Sequence, residues 1–219
     1  MKEQSINEHR SIEIISQMIA DTSANIDRVS GKYFLLWGYT TVIVSLFEYV
    51  AQVNNILMPL LLWCWFLIPI IGGIGTIMIN YNQKKKGATT PKSYIDRSIS
   101  AVWMVFGLSY VMVYIAAMVY HTNILFLTSV LMGMGTAITG LICRHKILGV
   151  AGFAGIALSL LFPVRHLYLQ QMGESIYGAM NIPEWLLYGD ILWFSLIFAV
   201  MMVIPGHKLR YRAKHNNNA

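Results

Sequence analysis

From residue 33 onward the chain alternates between apolar runs of about twenty residues and short polar stretches. Runs of that length match the roughly 30 Å of hydrocarbon in a bilayer. Lipid cannot satisfy loose backbone N–H and C=O groups, so each run is expected to be a helix. Six runs qualify, at 33–53, 57–79, 99–120, 124–143, 147–164 and 185–205. The fifth is short and rich in small residues. The expected fold is therefore all-α: a polytopic membrane protein with six transmembrane helices arranged as three hairpins over 33–205. A basic tail follows at 206–219. The outer turns of the first two hairpins are very short, Asn54-Asn55-Ile56 and His121-Thr122-Asn123.

The first 32 residues follow another pattern. Apolar residues fall at Ile12, Ile15, Ile19, Ile26 and Val29, with Thr22 filling the gap and Met18 flanking. This is a heptad-like stripe on an amphipathic helix outside the bilayer. Ser5 suits its start and Gly31 the position just past its end. A helix lying on a membrane surface carries Lys and Arg on its polar face. Here Glu8, Glu13, Asp21 and Asp27 outnumber Arg10 and Arg28. The stripe is thus expected to pack on protein, whether a second copy, another subunit or the inner loops of its own bundle. A cleaved signal peptide would need an apolar run behind a basic start. The first thirty residues are polar and carry acids.

Composition sharpens this picture. Of 219 residues 56% are hydrophobic and 12% charged, about half the charged share of a soluble domain. With the N-terminus inside, fifteen of the sixteen Lys and Arg residues fall on inner segments and only Arg165 outside. The positive-inside rule then places both termini in the cytoplasm. The net charge of +6 is a topological signal, not a mark of nucleic-acid binding. Lys84-Lys85-Lys86 would touch anionic headgroups without specificity, at about 1 kcal/mol per charge. Cys64 and Cys143 are expected on opposite sides of the membrane, too far apart for a disulfide.

The second strokes of the first two hairpins resemble each other at an offset of 60, Gly73-Ile74-Gly75-Thr76 against Gly133-Met134-Gly135-Thr136. Duplication of a two-helix unit and chance within a small apolar alphabet both account for it. Small residues recur every four positions at Ala151, Gly155 and Ser159, at Gly72 and Thr76, and at Gly133 and Ala137. Such stripes let backbones approach, and they place the fifth helix centrally. Pro69 is expected to kink the second helix.

Ionisable residues within a span are candidate functional groups. Glu48 and Asp190 are expected near the outer ends of the first and sixth helices, with His121, Arg165 and His166 near the same surface. Residues 165–184 carry a weak amphipathic pattern suited to a half-helix on the outer face. Two readings stand: an outward vestibule that binds a cation or small cationic solute, or carboxylates that reach water or pair with Arg165. No metal-ligand spacing, nucleophile elbow or phosphate-cradling loop is present, and Ser175 lacks the partners of a nucleophile. No cofactor is implied.

The motifs Ser11-Ile12-Glu13-Ile14-Ile15, Leu36-Trp37-Gly38-Tyr39-Thr40-Thr41, Leu131-Met132-Gly133-Met134-Gly135-Thr136 and Val203-Ile204-Pro205-Gly206-His207 resemble an uncharacterised family of small multi-pass bacterial inner-membrane proteins. That resemblance implies a membrane fold and supplies no catalytic residue. Size and span number also resemble the substrate-binding subunits of energy-coupling-factor transporters. Those use a first helix richer in small residues than 33–53 and lack so long a leader. The expected role is a non-enzymatic membrane component, regulatory or scaffolding, that meets a cytoplasmic protein or its own copy through Ile12, Ile15, Met18, Ile19, Ile26 and Val29. The alternative is a small-solute or cation carrier that uses the outer cluster.

Overall fold

A computed structural model describes residues 31–56, 63–85, 94–120, 122–175 and 188–215. The stripe from Ile12 to Val29 and residue His121 lie outside the described residues. Every regular element among those described is helical: α1 Gly31–Val53, α2 Leu67–Lys85, α3 Tyr94–Tyr120, α4 Ile124–Ile142, α5 Lys146–Ser159, α6 Leu161–Ser175, α7 Gly189–Phe198 and α8 Ile204–His215. A π-helical segment, Ala199–Val203, joins α7 to α8.

Neighbouring helices run antiparallel, as the paired contacts show. Gly140 and Gly133 of α4 meet Gly149 and Ile156 of α5, so one index rises as the other falls. In the same way Gly31 and Gly38 of α1 meet Gly206 and Met202, and Trp37 bonds Thr76 while Tyr33 bonds Asn80 of α2. Phe106 of α3 lies against Gly135 of α4. These pairings bring Lys32, Lys84, Lys85, Arg97, Arg144, Lys146, Lys208, Arg210, Arg212 and Lys214 to one end of the bundle. Among the described basic residues, Arg165 alone sits at the other.

Helix α5 is central. It touches α4, α7, the π segment and α8. One face meets α4 through Gly149 and Gly152, where a Cβ at Gly140 would overlap the Gly149 backbone and one at Gly152 the Ala137 backbone. Its other face puts Gly155 on Met201. The turn between α4 and α5 is a Schellman cap: His145 N–H donates to Gly140 O at 2.8 Å and Arg144 N–H to Leu141 O at 3.2 Å. Arg144 takes the left-handed conformation there, φ 55°, a position glycine usually fills.

Polarity is inverted relative to a water-soluble bundle. Ile77, Met104 and Val150 are 69%, 75% and 68% exposed, whereas Ser45, Ser129, Thr136 and Ser159 are fully buried. Among the described residues five helical stretches are long and apolar enough to cross a membrane: Gly31–Val53, Arg97–Ala117, Ile124–Ile142, Lys146–Gln171 and Gly189–His215. Helix α2 is not among them. Its last turns carry Asn80, Asn82, Gln83, Lys84 and Lys85, and the start of the expected span 57–79 lies outside the described residues.

The expected interruption near Pro69 is present, and two other helix ends differ from expectation. The chain turns at Trp65 and Phe66, and Pro69 sits in the first turn of α2. The fifth span does not stop at 164 before a separate surface helix. It breaks at Leu160 and resumes as α6 through Ser175, with Pro163 in the first turn. The last span does not stop at Pro205, because α8 carries the chain in helical form to His215. A first-turn proline loses no intrahelical bond, since that N–H would be unpaired anyway. Gly31, expected beyond a helix end, is itself helical and packs on Gly206 and Leu209.

The α4–α5 contact predicts a contrast between two glycines. Gly140→Ala forces backbone apart and should destabilise the bundle by about 1–3 kcal/mol. Gly107→Ala meets nothing within 4 Å and should stabilise by about 0.5–1 kcal/mol through helix propensity. Thermal unfolding of both variants in detergent, followed by tryptophan fluorescence, checks the pair; equal shifts would remove the close contact from the account.

Candidate functional site

The expected outer cluster divides into two separate arrangements. Asp190 occupies the first turn of α7, where a carboxylate also favours the helix dipole. It forms a salt bridge with Arg165 of α6, the side chains being 22% and 26% exposed. Gly189 leaves space for the guanidinium, since a Cβ there would lie 3.1 Å from Arg165 Nη2. Asn123 joins from the third side. Its Oδ1 accepts from the N–H groups of Leu125 and Phe126 at 3.0 and 3.1 Å, capping α4, while its Nδ2 donates to Asp190 Oδ2 at 3.4 Å. One ion pair thereby ties α4, α6 and α7 together at the end away from the basic residues. His166, the next residue, is exposed.

Glu48 is held elsewhere. It lies five residues before the end of α1, about 7–8 Å along the axis, and is 1% exposed. Gln52, one turn on, donates Nε2–H to Glu48 Oε1 at 3.0 Å. The Trp65 and Cys64 side chains lie near the carboxylate, and Trp65 also packs edge-on against Phe194 of α7 at 5.7 Å. Glu48 Oε2 is buried with no hydrogen-bond partner. A carboxylate half satisfied in an apolar interior is unusual, because an unmade bond there carries the full cost of lost solvation.

The other buried polar groups differ in kind. Ser45 donates to Thr41 O at 2.7 Å, Thr139 to Gly135 O at 2.7 Å, Thr136 to Met132 O at 2.9 Å and Ser159 to Ile156 O at 2.6 Å. Each hydroxyl is satisfied by its own helix, so these residues offer little to a solute. Among the described residues Glu48 Oε2, Ser129 Oγ and Gln83 Nε2 are the buried side-chain atoms left over. No group of three His, Cys, Asp or Glu side chains among the described residues could hold a metal ion.

Asn123 and Gln52 were not among the residues singled out from the sequence. Asn123 directly precedes an apolar helix, a standard N-cap signal, and Gln52 follows Glu48 at the i,i+4 spacing that lets side chains meet.

Because the ion pair is partly buried, losing either partner strands the other charge. Asp190→Asn and Arg165→Gln should each lower stability by about 1–3 kcal/mol, and the double variant should lose clearly less than the sum. A double-mutant cycle on unfolding in detergent reads this directly, and additive losses would mean that the pair contributes no coupling. Comparison with known proteins finds no matching family model, no matching curated protein and no matching solved structure, so the family resemblances rest on the sequence motifs alone.

Proposed function

We propose that this chain is a multi-pass integral membrane protein of the bacterial inner membrane. In this reading both termini are cytoplasmic, and the chain acts as a non-enzymatic component that binds a protein partner or a second copy of itself. The observation that carries the membrane reading is the inverted polarity: large aliphatic side chains cover the outside while hydroxyls and one carboxylate are buried. Gathering of the basic residues at the end shared by the start of α1 and the end of α8 supports cytoplasmic termini. The partner-binding role rests on the acid-leaning stripe of Ile12, Ile15, Met18, Ile19, Ile26 and Val29. Tying of Asp190 to Arg165 and Asn123 favours a structural role for that carboxylate over solute binding.

Ile15→Asp combined with Ile19→Asp should abolish recovery of the partner, or of a differently tagged second copy, from mild detergent while leaving the amount in the membrane unchanged. Recovery equal to that of the unaltered chain would remove the stripe from the mechanism.

A second reading is favoured by one observation, the open Oε2 of buried Glu48. As a carrier of a proton or small cation, the protein would use Glu48 as the binding group, with Gln52 orienting it. Glu48→Gln should then abolish cation-dependent uptake into proteoliposomes while the bundle unfolds at the same or a higher temperature, the buried charge being gone. Unchanged uptake would exclude Glu48 as the carrier group.

A further inference from the structure

A groove of about 490 Å³ runs along α1 between α2 and α8 at the basic end. Its mouth is formed by Lys32, His207 and Arg210, and its length is lined by Leu36, Ile43 and Ile71. No acidic residue lines it. From Lys32 to Ile43 is eleven residues of α1, about 16 Å at the helical rise. That is close to half of the roughly 30 Å hydrocarbon thickness. Lys32 and Arg210 thus stand where the headgroup region of one leaflet would lie, and the apolar walls reach down to the level of the bilayer midplane.

Three features mark the mouth as suited to a phosphate. Tyr39 OH lies 2.6 Å from His207 Nε2, which fixes the imidazole at the rim. Arg210 is exposed and presents a fork of donors that matches phosphate oxygens. Helix α8 carries Lys208, Arg210, Arg212 and Lys214 and no acid over Ile204–His215, so every Lys, Arg, Asp or Glu charge on that helix is positive. A soluble anion would use the mouth alone and leave the apolar walls uncovered. An amphiphile with one anionic head and an acyl chain covers both.

We propose that this groove is a binding site for an anionic phospholipid of the cytoplasmic leaflet, with the phosphate at Arg210 and His207 and one acyl chain along Leu36, Ile43 and Ile71. The proposal rests on the membrane reading above. It differs from general attraction of inner loops to the bilayer because it is local, stoichiometric and dependent on chain as well as head.

The test is native mass spectrometry of the detergent-purified full chain titrated with phosphatidylglycerol or phosphatidylcholine. One phosphatidylglycerol should bind in preference to phosphatidylcholine. Arg210→Gln with His207→Gln should weaken that binding about fivefold or more, the effect of losing roughly one interfacial charge contact. Lys85→Gln, at the same end but outside the groove, should leave it unchanged. Equal binding of the two lipids, or equal loss from Lys85→Gln, overturns the site. Full competition by soluble glycerol phosphate also overturns it, since the head alone would then suffice. Membrane fractions tested in parallel separate the two levels. A chain released by alkaline carbonate, or a periplasm-dependent reporter active after Lys214, overturns the membrane reading itself. A chain that stays integral with an inactive reporter and shows no preference for phosphatidylglycerol overturns the lipid site alone.

Discussion

Helices α4 and α5 approach until backbone meets backbone, with Gly140 over Gly149 and Gly152 over Ala137. On the membrane reading proposed above, helices gain no hydrophobic drive from association, because lipid tails are as apolar as the side chains. Van der Waals contact then does the work, and it grows as backbones close. The remainder of the bundle builds outward from this pair. The far face of α5 seats Met201 on Gly155, which positions the π segment, and Gly38 of α1 then packs on Met202 and Val203. Trp37 of α1 in turn covers Gly72 of α2 and donates to Thr76 at 3.2 Å. Substituting a larger residue at the α4–α5 contact would therefore propagate through two further helices before reaching α2.

That packing leaves little freedom for polar groups, and the chain handles them in two ways. Small hydroxyls bond back to their own helix at i−3 or i−4, which keeps them neutral toward neighbours and allows a buried serine or threonine at a close contact. Larger ionisable groups need tertiary partners. Asp190 has them, from Arg165 and Asn123. Glu48 has Gln52 on one oxygen only. Two carboxylates near the same end of the bundle thus end in opposite states: one is a fastening between three helices, the other a buried group with bonding capacity to spare. Position in the span does not separate them, whereas the elements that pack against each do.

Much of this was legible in the sequence. Apolar run length marked helical stretches, and small residues at spacing four marked points where helices meet, since Gly72, Gly133 and Gly155 all touch a neighbour. The closest backbone contacts, however, lie at Gly140, Gly149 and Gly152, outside those stripes. Partnering was legible in part. Pairing with Arg165 was one of the two readings of the outer carboxylates, and it holds for Asp190, whereas Glu48 bonds to Gln52 of its own helix. Helix ends were less legible than helix positions: the chain breaks before Pro69 and Pro163 and continues in helical form through Pro205. The repeat at offset 60 has a physical counterpart. Thr76 and Thr136 both donate to the carbonyl four residues earlier, and Gly75 and Gly135 lie against Leu36 and Phe106 of the preceding helix.

The π segment before Pro205 links the core to the basic end. Ile191, Phe194, Ile197 and Phe198 of α7 and Met201 and Met202 of the π segment are buried. One wide turn shifts the register by about a residue, and in α8 the buried positions are Pro205, Gly206, Leu209 and Ala213. The same turn accommodates Pro205. Ile204 N–H donates five residues back to Ala199 O, so the ladder is already rearranged where proline, without an N–H, must enter. Leu209 then packs against Gly31 of α1, while Lys208, Arg210 and Arg212 remain exposed. The bulge leads into α8, whose His207 and Arg210 stand beside the groove along α1.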